Sequence, residues 1–346
     1  IVFGDWSSDV CSSDLILQAL GATDFGLFSV VGTILAFITF LNGLMSGSAA
    51  RHFAYAIGQG DPINVRRWFN ASLSLHFVLP LTLILVGWPV AEYAIRHLLS
   101  VPEERLAACV IVFRLSLISA FANMVSIPFT AMLRAKQRLA ELAIWNITSS
   151  LLIFALARML LDAPADRLVF YAAGMVGIRF VIDLAQCGRA LWLFPECRPT
   201  PAFWFDRVRL KELAQFAGWT FIGAFATLLR NRGSNIVLNL FFGPGVNAAY
   251  AIANQVSTQA GQLSVAMLHS LSPEMTAREG RGERDRMVNL SMTASKLGTF
   301  FVMLFVIPFM LETELILKLW LIDPPQYAVE LSRMLMLTFK IGRAHV

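Results

Sequence analysis

Charged and amide side chains interrupt an otherwise apolar stretch at residues 228–240, which reads LLRNRGSNIVLNL. Arg230 and Arg232 carry planar guanidinium groups, whose donors match phosphate oxygens in pairs. Three amides recur at four-residue intervals, at Asn231, Asn235 and Asn239. Because residues four apart share a helical face, these amides form one stripe, and amides hydrogen-bond readily to hydroxyl groups. The pattern predicts a polar face on an otherwise apolar helix, as in the wall of a hydrated cleft.

Other apolar stretches contain polar residues of the same types. The next stretch carries Gln255 and Gln259, and an earlier one carries Arg114 followed by Asn123. A charge in the middle of a bilayer costs at least ~2.5–3.5 kcal/mol, so it normally faces a bundle interior or a hydrated cavity. We therefore expect these residues to line a cleft that binds a substrate. In the alternative interpretation, the helix ends near Leu229 and RNRGSN is a solvated loop.

Three more charged residues have less specific patterns. Arg179 and Asp183 lie four residues apart, the spacing at which opposite charges pair on a helix. We expect a structural ion pair there, with a proton-coupling pair as the alternative. Arg51 follows an apolar stretch, where a long basic side chain commonly anchors at the membrane surface. Contact with headgroups entering from the cytoplasm is the alternative for Arg51.

The composition predicts an all-α, polytopic membrane protein. The chain is 57% hydrophobic and only 15% charged, whereas soluble domains carry about a quarter charged residues. Apolar stretches of about 20 residues are long enough to cross a bilayer as helices. We place them near residues 25–48, 69–91, 107–133, 142–161, 168–190, 213–241, 246–271 and 295–316, with a further one from 327. These amount to about eight or nine transmembrane helices.

Basic residues alternate between rich and poor loops along the chain. The loops near Arg51, Arg134, Arg209 and Arg284 are rich in arginine and lysine, whereas the intervening loops hold few. Short basic loops stay in the cytoplasm, so this pattern predicts a multi-pass membrane protein whose arginine-rich loops face the cytoplasm. The net charge of +5 is then a topology signal, and no nucleic-acid partner is expected. The cysteines and histidines lack metal-ligand spacing, so no metal, cofactor or catalytic residue is predicted.

Two pairs of glycine motifs recur with a constant separation. LGATDFG and FGPGVNA each begin an apolar stretch, while GQGD and GRGE each follow one. Gly21 and Gly243, like Gly60 and Gly282, are 222 positions apart. A repeat of this length holds six spans, and both copies run in the same direction, as in parallel repeats related by an axis along the membrane normal. The sequence therefore predicts two lobes of six helices, the second incomplete here.

Both ends of the chain resemble translated sequencing adapters. Residues 5–15 read DWSSDVCSSDL and residues 341–346 read IGRAHV. We interpret residues 1–15 and 341–346 as non-native and leave them out of the fold prediction. The rest divides into an N-lobe with a truncated first helix (16–190), a cytoplasmic inter-lobe linker (191–212) and a partial C-lobe (213–340).

Three segments carry a resemblance to a known family. They are ALGATDFGLFSVVGTILAFITFLNGLMSGSAARHFAYAIGQGD, FAGWTFIGAFATLLRNRGSNIVLNLFFGPGVNAAYAIANQVS and FVIPFMLETELILKLWL. They resemble bacterial polysaccharide and oligosaccharide flippases, such as O-antigen flippases. These belong to a superfamily that also contains multidrug-and-toxin extrusion transporters and the lipid II flippase. The resemblance covers nearly all of residues 16–340 and implies a two-lobe transporter.

The resemblance also implies a substrate and partners. Such a transporter would flip an undecaprenyl-pyrophosphate-linked oligosaccharide to the outer leaflet by alternating access, for surface polysaccharide or O-antigen synthesis. Its partners would be this lipid-linked oligosaccharide, membrane lipids and the polysaccharide polymerase machinery, with protons or sodium ions as candidates for coupling. Arg230 and Arg232 depart from the family pattern, which has an uncharged polar residue near this position.

Two other functions compete with the flippase. A cation-coupled multidrug exporter of the same fold would need intramembrane carboxylates, and Asp183 is the only clear one in the sequence. The apolar stretches hold four arginines, namely Arg114, Arg179, Arg230 and Arg232. This excess of positive over negative charge favours an anionic substrate. A membrane polysaccharide polymerase or ligase would have a large outward loop with catalytic residues, and the placement of the spans leaves no such loop. We therefore expect a transporter and not an enzyme.

Overall fold

The protein is helical over the residues that the structure describes. This computed structural model describes residues 6–97, 101–160, 166–321 and 325–342. The α-helices are α1 (Trp6–Gly58), α2 (Pro62–His97), α3 (Glu103–Ala135), α4 (Leu139–Met159), α5 (Arg167–Leu193), α6 (Arg207–Gly280), α7 (Arg284–Leu311), α8 (Thr313–Leu321) and α9 (Ala328–Gly342). Two short 3₁₀ helices, Pro195–Cys197 and Pro201–Phe203, precede α6. The all-α prediction is confirmed.

Within the described residues, five helices, α2, α3, α4, α5 and α7, are long and apolar enough to cross a membrane. Their outer surfaces are apolar as well. Leu85 and Val86 on α2 are 67% and 68% exposed, and Leu151 on α4 is 64% exposed. Contiguous exposed apolar surface of this extent is typical of a face covered by lipid. The structure therefore confirms a polytopic membrane protein.

Glycines divide α1 and α6 into two helical segments each. Gly21 has φ 78° and ψ 167°, and Gly243 has φ 79° and ψ 179°. This conformation is open essentially to glycine alone, which explains the residue type at both positions. Residues 228–240 are helical throughout. The alternative in which the helix ends near Leu229 is therefore wrong.

The turns that follow α1 and α6 have the same backbone conformation. In the first turn, Gly60 has φ 73° and its N–H donates to the carbonyl of Ile57 at 3.0 Å. In the second turn, Gly282 has φ 75° and donates to the carbonyl of Glu279, also at 3.0 Å. Each pair of positions keeps the separation of the sequence motifs. The register of the predicted repeat is thus visible in the backbone.

The chain forms two compact units, Ile1–Trp219 (unit 1) and Thr220–Val346 (unit 2), so the division falls within α6. The core of unit 1 has two main clusters at opposite ends of its helices. Near the arginine-rich α1–α2 and α3–α4 turns, the core includes Phe53, Phe69, Phe129 and Leu133. Towards the other helix ends, it includes Leu27, Ile95, Phe113 and Leu168. We call these the basic end and the opposite end of unit 1.

The segment between α5 and α6, predicted as an inter-lobe linker, packs on α2. Asn70 accepts a hydrogen bond from the Thr200 N–H at 2.5 Å, and the Ser74 hydroxyl donates to the Trp204 carbonyl at 2.5 Å. Cys197 is fully buried in the core of the basic end, and this burial raises the pKa of its thiol. The segment is therefore an ordered part of unit 1.

Unit 2 has its own core. Helices α6, α7, α8 and α9 contribute Ala249, Val302, Phe309, Leu317 and Met336 to one apolar cluster. Helix α7 ends before Glu312, whose backbone N–H still donates to the carbonyl of Pro308 at 3.0 Å, and α8 begins at Thr313. The two short helices α8 and α9 thus pack against α7 within this unit.

Candidate functional site

A polar cavity of about 420 Å³ lies inside unit 1, between α1, α3, α4 and α5. Its amides are Asn42, Asn123, Asn146 and Gln186. Its charged residues are Arg134, Arg179 and Asp183, and hydroxyls come from Ser46, Ser126, Thr130 and Ser149. Such a wall offers many hydrogen-bonding groups inside helices that are otherwise apolar.

Helical periodicity places these side chains together. On α3, Ser126, Thr130 and Arg134 follow at four-residue steps, so they share one face. Arg179 and Asp183 share a face of α5 in the same way. At 1.5 Å per residue, the cavity wall on α3 extends about 16 Å, from Asn123 near the middle of the helix towards the basic end. Arg134 is therefore the cavity residue on α3 that lies nearest the basic end.

Hydrogen bonds between neighbouring helices hold the wall in place. The Asn42 amide donates to Asn123 Oδ1 at 3.2 Å, which joins α1 to α3. The Ser126 hydroxyl donates to Asp183 Oδ1 at 3.4 Å, which joins α3 to α5. Because each bond fixes one side of a polar group, the orientation of the group's remaining atoms is fixed as well.

Arg134 has a defined position at the basic end of the cavity. Its Nη1 donates to Ser46 Oγ at 2.9 Å, and this contact joins the end of α3 to α1. A guanidinium has five N–H donors, so a single serine hydroxyl leaves further donors for a ligand. Arg134 can therefore present a positive charge to an anionic group in the cavity.

Three of the residues predicted from the sequence line this cavity, namely Asn123, Arg179 and Asp183. Asp183 is buried, at 8% exposure. The prediction of Arg179 and Asp183 as a structural or coupling pair stays a prediction. The structure adds that both residues belong to the wall of one cavity.

Arg114 and Arg51 lie elsewhere in unit 1. Arg114 is 44% exposed and donates to the Glu92 carboxylate at 2.9 Å, with its guanidinium 5.5 Å from the Trp88 ring centroid. Arg51 is exposed at the basic end, with its guanidinium 4.8 Å from the ring centroid of Phe216. The structure therefore does not bring these two arginines together with Asn123.

The polar stripe of α6 belongs to unit 2. Arg230 and Asn239 are exposed, Asn235 is half-buried, and Gln255 and Gln259 are exposed further along α6. The side chains of Asn231 and Arg232 lie outside the described residues. The Ser234 hydroxyl donates to the Arg230 carbonyl at 2.8 Å, as expected inside a helix. Substrate binding by this stripe stays a prediction.

Several cavity residues escaped the sequence prediction: Asn42, Ser46, Arg134, Asn146, Ser149 and Gln186. Four-residue spacing is a signal that could have marked Asn42 with Ser46, and Arg134 with Thr130. The sequence pattern predicts Arg134 only as a basic loop residue that orients the chain. Among the described residues, no group of His, Cys, Asp and Glu side chains is arranged to hold a metal ion.

The helices and the cavity define a multi-pass membrane protein with a transporter fold. A multidrug resistance MATE family transporter of the MOP superfamily, in an outward-facing conformation, matches with a TM-score of 0.75 and 16% identity, over 97% of this chain and 76% of that chain. A MOP superfamily transporter from Pyrococcus furiosus, described by the reverse polarity of its binding pocket, matches with a TM-score of 0.71 and 17% identity, over 95% of this chain and 74% of that chain. MATE in the bent conformation matches with a TM-score of 0.72 and 17% identity, over 97% of this chain and 75% of that chain.

At these identities the likeness shows the fold. The family follows from the sequence, because the model of the polysaccharide biosynthesis protein family matches residues 15–277. The chain belongs to this family. No curated protein sequence matches it.

Proposed function

We propose that the protein flips a lipid-linked oligosaccharide across the bacterial cytoplasmic membrane by alternating access. The substrate carries sugars joined through a pyrophosphate to an undecaprenyl tail and serves surface polysaccharide synthesis, such as that of O-antigen. The family membership supports this function. The observation that carries it is the cavity wall, in which two guanidinium groups and four amides accompany a single carboxylate.

The chemistry of the wall matches the parts of this substrate. Arg134 and Arg179 offer donors for phosphate oxygens, and their positive charge offsets the negative charge of the pyrophosphate. The amides both donate and accept hydrogen bonds, as sugar hydroxyls require. The polyprenyl tail would stay in lipid, because moving it into a polar cavity would lose its apolar burial.

The α6 stripe is a second candidate contact for the same substrate. Arg230 and Arg232 would meet phosphate and Asn235 would meet sugar, with Arg51 as a first contact at the cytoplasmic surface. Protons or sodium ions would couple the cycle, and the polysaccharide polymerase machinery would receive the product.

Translocation in liposomes tests the proposal. The intact protein is reconstituted with a fluorescent undecaprenyl-pyrophosphate oligosaccharide, and its transfer between leaflets is measured by protection from a membrane-impermeant quencher. We expect Arg134→Gln to slow transfer at least about tenfold, since a charged hydrogen bond contributes about 1.5–3 kcal/mol. Arg134→Lys should recover part of the rate.

Arg138→Gln is the matched control. Arg138 lies four residues from Arg134, outside the cavity lining, with its side chain 48% exposed and 3.8 Å from Glu141. It should leave the rate unchanged. Equal rates for Arg134→Gln and the unsubstituted protein would contradict a role of the cavity in translocation.

A cation-coupled multidrug exporter is the second candidate. The buried Asp183 carboxylate favours it, because a carboxylate inside the membrane is suited to a cationic drug or a coupling ion. The same liposomes distinguish the two functions when loaded with rhodamine 6G. Drug export that is lost in Asp183→Asn, without any transfer of the lipid-linked oligosaccharide, would establish this second function and remove the first.

A further inference from the structure

Three residues that line the cavity of unit 1 each hold a buried polar atom without a hydrogen-bond partner. Among the described residues, Asn42 Oδ1, Ser149 Oγ and Asp183 Oδ2 are such atoms. Their residues are only 8%, 4% and 8% exposed, and all three line the cavity. A buried polar atom left unpaired costs about 1–3 kcal/mol, so three in one wall indicate a surface shaped for a ligand.

The bonded atoms of the same groups fix where the free atoms lie. Asn42 uses its amide nitrogen towards Asn123 and keeps Oδ1 free. Asp183 uses Oδ1 towards Ser126 and keeps Oδ2 free. Both free atoms are acceptors, and the serine hydroxyl accepts as well. The ligand that completes this wall must therefore donate several hydrogen bonds at once.

Size and charge narrow the ligand class. A cavity of about 420 Å³ falls in the range of roughly 300–1,000 Å³ that is typical of small-molecule sites. Asp183 is the single carboxylate of the wall, and among the described residues no group of His, Cys, Asp and Glu side chains is arranged to hold a metal ion. Arg134 and Arg179 in the same wall disfavour a cationic drug. A polyhydroxylated ligand fits, because each hydroxyl can donate to a free acceptor while accepting from an amide or guanidinium.

We infer that this cavity is a saccharide-binding site for one or two sugar residues, with Asn42 and Asp183 as residues that determine which sugar binds. The inference rests on the proposed function and deepens it, because it names the part of the lipid-linked head that α1, α3, α4 and α5 recognise. Every residue of the lining belongs to unit 1. Binding of the sugar therefore requires neither the lipid tail nor a residue of unit 2.

Isothermal titration calorimetry on the intact protein in detergent tests this site. Glucose, galactose, mannose, rhamnose and N-acetylglucosamine are each titrated to about 50 mM, well above the ~1 mM Kd expected for a small polar ligand. We expect at least one of these sugars to bind. Asp183→Asn and Asn42→Ala should each weaken its binding about tenfold or more.

A matched control separates the cavity from a general effect of losing a carboxylate. Asp61→Asn makes the same chemical change at an exposed position in the α1–α2 turn, and it should leave sugar binding unchanged. Ser149→Ala, the smallest change in the wall, keeps the test valid if a larger substitution prevents folding. Thermal unfolding of every variant is measured alongside.

The outcomes are distinct. Absence of binding by all five sugars, or equal weakening by the Asp61 control, overturns the inference. Binding of sodium or rhodamine 6G that is lost in Asp183→Asn, with no sugar bound, overturns it in favour of a cation site. Translocation of the lipid-linked oligosaccharide without binding of soluble sugars would refute the saccharide site and retain the proposed function. Sugar binding without translocation would refute the proposed function and retain the saccharide site.

Discussion

Helices α1 and α6 have the same backbone plan and different side chains. Each is divided by a glycine of matching conformation, at Gly21 and Gly243, and each ends in a turn closed by a glycine with positive φ. In α1, however, Ser46 is buried and lines the cavity, whereas the corresponding position in α6 is Leu268. The comparison teaches that the repeat specifies the chain path, while the polar side chains are specified separately in each copy.

The opposite ends of the two copies differ as well. In unit 1, Arg105 pairs with both Asp24 and Asp166, the latter at 2.7 Å, and so joins the starts of α3 and α5 to the segment after Gly21. The position 222 residues after Arg105 is Tyr327. This ion-pair cluster is therefore a feature of unit 1 that the repeat does not carry.

The largest expected effect comes from breaking this cluster. Arg105→Ala leaves two carboxylates facing each other without their cation, so we expect the free energy of unfolding to fall by about 3 kcal/mol. Unfolding by SDS titration, followed by tryptophan fluorescence, measures the change. Arg96→Ala is the control, because Glu92 keeps Arg114 as a partner and the exposed Arg96 pair contributes little to stability. Equal losses for the two variants would contradict the special position of Arg105.

A smaller and symmetric effect is expected at the glycines that divide α1 and α6. Gly21→Ala and Gly243→Ala each place a side chain at a backbone conformation that L-residues avoid, at a cost of about 2 kcal/mol. The same SDS titration should show similar losses for both. Gly26→Ala should be neutral or slightly stabilising, since it lies in the helix with open space around its Cβ position. A loss at only one of the two glycines would argue against an equivalent backbone in the repeat.

The smallest effect distinguishes the two turns. Asp61 accepts hydrogen bonds from the N–H groups of Ile63 and Asn64, both at 3.0 Å, whereas Glu283 makes no side-chain cap to α7. Removing a cap costs about 1 kcal/mol, so Asp61→Ala should lower the free energy of unfolding by about that amount. Glu283→Ala loses only exposed ion pairs and should cost less than about 0.5 kcal/mol. A larger loss at Glu283 would reverse the comparison.

The sequence predicted much of the fold for identifiable reasons. Apolar stretches of sufficient length determine membrane-spanning helices, and glycines at fixed separation mark the positions, Gly21 and Gly243, that divide α1 and α6. Both signals are local, so they are readable along the chain. The helical state of residues 228–240 followed from the same pattern of apolar positions and in/out alternation.

The cavity was only partly predictable because its residues are separated in sequence. Asn42, Asn146 and Gln186 are single polar residues in three different helices, and only the packing of α1, α4 and α5 places them around one space. Arg114 illustrates the same point, since its partner Glu92 lies on a neighbouring helix. A pattern within one segment cannot show which polar residues face each other across helices.

Photo-crosslinking tests most directly whether the cavity of unit 1 receives the polar head of the substrate. The intact protein is incubated with an undecaprenyl-pyrophosphate oligosaccharide that carries a diazirine on its first sugar, irradiated and digested, and the labelled peptides are identified by mass spectrometry. We predict label on the segments that contain Asn42, Ser126, Ser149 and Asp183. Label confined to the α6 stripe around Arg230 and Asn235, with none on the cavity segments, would contradict this account.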